Sequence, residues 1–206
     1  MNIPVVNKFE KPMLAVTATQ LTGSKVRVFT PLHDLNGKSV QPDGSLNLIE
    51  VLMASTALPG VFPPVLVTGD EGYFIDGGIW SNAPLLAAVV LANERAGQPM
   101  SGIRVVSIGT ASKPYSPTAA QHNDLRGATP KFYEHLFNVA TSAAEHLSRE
   151  AVERLIGGDN VLYVDDESLD YIEPWKTRKA LDELPPAAER IANDRAMTAK
   201  LERLMA

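Results

Sequence analysis

The amino-acid sequence predicts an α/β domain in which helices flank a central sheet, and three features point to it. Short β-rich runs recur at 13–20, 26–30, 65–67, 72–75, 103–108 and 161–164. Helix-length stretches fall between and after them, at 45–54, 82–96, 131–156 and 186–205. Strands alternating with helices of this length argue for layers sharing one core. Finally, 206 residues that are 45% hydrophobic and 21% charged carry enough apolar side chain for one sizeable core.

Taken in order, residues 13–20 read as a buried strand, Leu21-Thr22-Gly23-Ser24 as a turn, and 26–30 as its hairpin partner. Residues 31–45 are rich in Pro, Asn, Asp and Gly and read as loop. Ser45 or Asn47 can cap a short helix with Leu48, Val51 and Leu52 on one face. Three prolines and a glycine then exclude regular structure from 58–64, because each proline removes an amide donor. A second hairpin is predicted around the turn at 68–71. After Asp76-Gly77-Gly78, Asn82 is a good cap and Pro84 a good first-turn residue for a helix over 82–96. The apolar run at 103–108 suits a strand covered on both faces. Residues 110–130 read as a long loop, 131–156 as a long helix stopped at Gly157-Gly158, and 161–164 as the last strand. The segment after Trp175 is charged, alanine-rich and helical in propensity.

Composition narrows the function classes. A net charge of −5 argues against a nucleic-acid partner, which asks for a basic face. With no cysteine, disulfides, thiolate catalysis and cysteine metal sites are excluded. No signal-peptide pattern opens the sequence and no apolar run is long enough to span a bilayer, so a cytoplasmic protein is expected. His33, His122, His135 and His146 match no metal-binding spacing and read as surface or capping residues. Asp165-Asp166-Glu167, with Asp159 and Asp170, lacks the alternation and central glycine of a calcium loop and reads as a solvated turn.

Three blocks carry a family resemblance. They are Ala54-Ser55-Thr56-Ala57-Leu58-Pro59-Gly60-Val61-Phe62-Pro63-Pro64, then Phe74-Ile75-Asp76-Gly77-Gly78 with Asn82-Ala83-Pro84-Leu85, and Val106-Ser107-Ile108-Gly109-Thr110. In identity, order and spacing they resemble the patatin-like phospholipases, most strongly over residues 10–110. The resemblance implies a partial patatin-like domain over 1–175 and a helical extension over 176–206. It also implies a lipid acyl hydrolase of the phospholipase A or esterase type, acting on phospholipids or related acyl esters with peripheral membrane contact. In that family a serine attacks the ester and an aspartate takes its proton directly, so neither a metal nor another cofactor is expected. Asp76 stands at the aspartate's place, in the motif Asp76, Gly77, Gly78. Asp-Gly alone reads as a turn; the flanking blocks make it a candidate general base. Its two glycines would let backbone come close and take positive φ, with Phe62, Phe74 and Ile75 around the carboxylate. Leu58, Val61 and Phe62 are the substrate-contact candidates, as pocket lining or at a lipid surface, against a plain packing role.

The family's nucleophile sits in Gly-x-Ser-x-Gly and its oxyanion donors in a glycine-rich loop. No serine of this sequence has glycine on both sides at that spacing, and no three-glycine run occurs. The resemblance therefore implies the C-terminal part of the domain, with the nucleophile-bearing part absent from these 206 residues. The isolated chain is then expected to be inactive, with an apolar sheet edge that calls for a complementing N-terminal segment or an oligomer. Two alternatives stand beside this. One is a pseudoenzyme, or a lipid- or protein-binding module without hydrolysis. The other is an esterase using Ser55 or Ser81, neither of which has the glycines that expose a nucleophile.

Overall fold

The computed structural model describes residues 14–30, 43–110, 115–116, 130–166, 168–169, 172 and 176–205. His33, His122, Glu167, Asp170 and most of the two predicted loops, 31–45 and 110–130, lie outside them. The chain divides into two compact units, Met1–Pro99 and Met100–Ala206. The expected α/β class holds, and its strands fall into two sheets, one in each unit.

In the first unit, β1 (Val16–Gln20) and β2 (Lys25–Phe29) form an antiparallel hairpin from Val16↔Phe29 to Gln20↔Lys25. Gly23 and Ser24 close its turn at positive φ. On the other edge of β1 lies β4 (Tyr73–Asp76), antiparallel, with Ala18 opposite Asp76. The short β3 (Val65–Leu66) completes the order β2-β1-β4-β3. Alternation along β1 sends Val16 and Ala18 into the core. There they join Phe29, Phe74, Leu46 and Val67, with Val51 and Ala54 from α1 (Leu48–Ser55). The Phe29 and Phe74 rings meet edge to face at 5.3 Å. Asn47 caps α1 as expected, its side-chain oxygen accepting the Ile49 amide at 3.0 Å.

The helix predicted over 82–96 starts later, as α3 (Leu85–Glu94), and a separate short helix, α2 (Gly78–Ser81), precedes it. Asn82 does not cap α3; Pro84 occupies that place without a side-chain cap bond. The cause is local, since proline disfavours helical backbone at the residue before it and breaks the run at Ala83.

In the second unit, β5 (Val105–Ile108) and β6 (Val161–Val164) pair in parallel, joined through α4 (Pro130–Ile156). Such a crossover is how parallel neighbours are connected. Gly157, at φ 86°, ends α4 as foreseen, its amide donating to Glu153. The expectation that β5 is covered on both faces fails: Ile108 is 80% exposed, and β6 is its one neighbour among the described residues. The C-terminal helix begins earlier than 186. α5 (Thr177–Ala192) runs through Pro185 and Pro186, and α6 (Arg195–Met205) packs against β6.

Candidate active site

The candidate site is a corner where β4 ends beside the C-terminus of α1. Asp76 is the last residue of β4, half-buried, and three backbone contacts fix it. Its amide donates to Ala57 O at 3.1 Å. Its carbonyl accepts the Thr19 hydroxyl at 2.8 Å. The next amide, that of Gly77, donates to Ser55 O at 3.2 Å. Two of these bonds join the Ala54–Pro64 block to the Asp-Gly-Gly block, so motifs twenty residues apart in sequence form one structural unit.

The carboxylate is oriented by its own turn. Asp76 Oδ1 accepts the Gly78 amide at 2.6 Å, a charge-assisted bond. Among the described residues Oδ2 accepts none, which leaves one oxygen able to receive a proton from a docked hydroxyl. On the far side of the strand pair, Trp80 Nε1 donates to Ala18 O at 3.0 Å and ties α2 to β1.

The glycines act differently from the expectation. Gly77 has φ −72°, and neither it nor Gly78 adopts positive φ. What Gly77 supplies is close approach, because a Cβ there would lie 2.4 Å from Thr17 O. A Cβ on Gly78 would lie 3.0 Å from Asp76 Oδ1 and 3.3 Å from Asn82 Oδ1. Gly77 is thus crowded by β1 and Gly78 by the carboxylate itself.

The substrate-contact candidates divide. Leu58 is half-buried and its carbonyl accepts the Val61 and Phe62 amides at 3.1 and 2.9 Å, closing a tight turn through Gly60. Val61 and Phe62 are 53% and 58% exposed, so the core-packing reading fails for both. Phe74, by contrast, is fully buried on the same side of β4 as Asp76. Neither Ser55 nor Ser81 bonds the Asp76 carboxylate among the described residues, and Ser81 is buried within α2.

Several polar groups elsewhere proved structural. Arg27 bridges Asp43 and Asp70 and lies over the Phe29 ring at 4.4 Å. Nothing in the local sequence around Arg27 announced that network, since its partners lie 16 and 43 residues away. His135 is buried with the Tyr115 hydroxyl against its Nδ1, not at the surface; His146 is exposed. The acidic turn is paired: Asp165 lies 3.6 Å from Arg149, and Asp166 is held by Arg190 at 2.7 Å. Hydrogen bonds from Ser168, then Arg190, keep Asp166 below the ordinary carboxylate range.

The unit that carries the Asp-Gly-Gly corner is also the part of the chain that a known family matches. The model of the patatin-like phospholipase family matches residues 8–89, a span that includes β1 to β4, α1 and α2. Over that span the chain carries a patatin-like phospholipase sequence. It is 30% identical over 171 residues to a cGAMP-activated phospholipase of Pseudomonas aeruginosa (strain BWHPSA011 / Pa011), covering 81% of this chain and 47% of that protein. It is 24% identical over 111 residues to a cGAMP-activated phospholipase of Vibrio cholerae serotype O1 (strain ATCC 39315 / El Tor Inaba N16961), covering 52% of this chain and 30% of that protein. The chain thus spans less than half the length of these curated relatives. The Pseudomonas similarity also continues past residue 110, where the three sequence blocks end.

Proposed function

We propose that this chain supplies the general base of a lipid acyl hydrolase, with the Asp76 carboxylate accepting the proton of a serine hydroxyl as that oxygen attacks an acyl ester. The observation that carries this reading is the half-satisfied carboxylate, with Oδ1 bound to the Gly78 amide and Oδ2 open among the described residues. A base must be fixed yet keep one free lone pair toward its proton donor. The serine oxygen attacks the carbonyl carbon as Asp76 takes its proton, and Asp76 gives that proton to the alcohol as the ester bond breaks. Water then attacks the acyl-serine, Asp76 accepting its proton and returning it to the serine oxygen as the fatty acid leaves.

The nucleophile is the element these 206 residues do not encode in Gly-x-Ser-x-Gly form. A complementing segment is proposed to carry it, in a cytoplasmic protein that meets phospholipid at a membrane surface. The relatives' names make cGAMP the activator to include in any assay.

The test has two stages. DNA immediately upstream of the Met1 codon is translated in all frames for a Gly-x-Ser-x-Gly, and the joined polypeptide is assayed for fatty-acid release from phosphatidylcholine, with and without cGAMP. Asp76→Asn should lower the rate by about 10²–10⁴ without changing the melting temperature by more than a few degrees. An unchanged rate would remove Asp76 from the chemistry. The pseudoenzyme reading is favoured by the missing elbow, and it predicts no upstream motif and no release under any condition. Ester hydrolysis by the 206-residue chain alone, lost in Ser55→Ala or Ser81→Ala, would instead place the nucleophile within it.

A further inference from the structure

The short helix α2 carries the amide that orients the candidate base, its Gly78 N–H donating to Asp76 Oδ1 at 2.6 Å. That turn has little stability of its own. A single helical turn fixes several dihedrals for its first hydrogen bond, and glycine gives up the most backbone freedom on ordering. α2 opens on two glycines, Gly77 and Gly78, and no side chain caps it. The amide therefore stays in place only if the rest of the fold holds the turn.

β1 holds it at two neighbouring residues. The first is Thr17, which Gly77 approaches so closely that no side chain fits between them. The second is Ala18, whose carbonyl accepts Nε1 of the half-buried Trp80 at 3.0 Å. One point of contact lets a short element pivot; two adjacent points fix its direction. Ala18 is also the residue of β1 that stands opposite Asp76. The contacts thus close a ring: from Asp76 Oδ1 to the Gly78 amide, along α2 to Trp80, through the indole to Ala18, and back across the strand pair to Asp76. Thr19 lies outside this ring. Its hydroxyl donates to Asp76 O at 2.8 Å, so it pins the backbone of the aspartate and not the carboxylate.

We infer that Trp80 is a positioning residue for the Asp76 carboxylate. Its indole N–H, through Ala18, keeps the Gly78 amide on Oδ1 and so leaves Oδ2 turned to the incoming hydroxyl. The catalytic purpose rests on the hydrolase reading, whereas the ring of contacts does not. A buried tryptophan N–H also finds an acceptor simply to be satisfied. That plain role needs only the volume of the ring and an acceptor anywhere, and it does not carry the loss of the N–H to Gly78.

The test begins on the full 206-residue chain, by amide hydrogen exchange in proton–nitrogen correlation spectra. Trp80 is replaced by benzothienylalanine, which keeps the shape and exchanges the N–H for sulfur, and separately in Trp80→Phe. In both, the Gly78 amide should exchange about tenfold faster relative to the Phe29 amide of β2, which reports overall stability. Thr19→Val should leave that ratio at the wild-type value. In the complemented polypeptide, both Trp80 replacements should then lower kcat about tenfold with KM unchanged. A Gly78 amide that exchanges as in wild type in both replacements would overturn the inference. So would a kcat that falls without a change at that amide, or one that holds when the amide responds. If the amide responds but the wild-type complemented polypeptide releases no fatty acid, the hydrolase reading fails and the positioning of the carboxylate stands.

Discussion

Gly77→Ala isolates the packing that holds the candidate site. The added methyl would lie 2.4 Å from Thr17 O, 2.6 Å from its Oγ1 and 2.7 Å from its carbonyl carbon. Two of these are backbone atoms of β1, which is held between β2 and β4 and cannot move alone. Relief needs a shift of roughly half an ångström or more in a close-packed sheet. The strain should therefore reach the upper end of overpacking costs, about 3 kcal/mol. For a chain of this length that lowers the melting temperature by about 6–12 °C. Gly158→Ala is the matched control, because a Cβ there meets nothing within 4 Å and φ is not positive; it should stay within about 0.5 kcal/mol of wild type. Differential scanning fluorimetry of the three proteins measures the difference. If Gly77→Ala and Gly158→Ala melt together, the close approach of Gly77 to β1 is not what fixes the Asp76 corner.

Other perturbations test separate parts of the account. Gly78→Ala crowds Asp76 Oδ1 at 3.0 Å and should reduce any hydrolytic rate of the complemented enzyme more than it reduces stability, read by comparing initial rates with melts. Phe74→Ala removes a fully buried ring that packs on Phe29 and should cost about 3–5 kcal/mol in urea unfolding. Burial, and then Glu153, push the Tyr163 phenol up to about 12, so the fold favours its neutral form. Stability from this group is complete below the unfolded value of about 10 and is lost as pH rises toward 12. Tyr163→Phe should therefore flatten the alkaline loss of stability, measured by urea midpoints between these limits. Asp166 is the opposite case: its lowered value gives stability that is present above the ordinary carboxylate range and lost as pH falls below it. The difference between wild type and Arg190→Gln in urea should accordingly shrink in acid.

The sequence disclosed the parts of this molecule that depend on neighbours along the chain. Both hairpins, the Asn47 cap, the Gly157 stop and the β5–α4–β6 order follow from local pattern, and each formed near its expected place. The strand end at Asp76 was legible for the same reason, as strand and glycines are contiguous. What escaped were effects with a distant partner. Gly77 is bare because of Thr17, sixty residues earlier, and no turn rule announces that contact. The Arg27 bridge joins three segments, and the burial of His135 depends on Tyr115, across twenty residues. β5 reads as fully covered because apolar composition reports what a strand could bury, not what lies beside it. A local miss, the later start of α3 after Asn82-Ala83-Pro84, came from weighing the cap preference of asparagine above the constraint that proline places on Ala83.

The central claim is that the open oxygen of Asp76 activates a serine hydroxyl directly. A fluorophosphonate that modifies only an activated serine reads this before any turnover, by the mass of the adduct and its rate of formation on the complemented polypeptide. The account predicts one adduct, on a serine in a Gly-x-Ser-x-Gly outside these 206 residues, forming at least about 10²-fold more slowly in Asp76→Asn at equal melting temperature. An adduct that forms equally fast without the carboxylate, or one on Ser55 or Ser81, would contradict it.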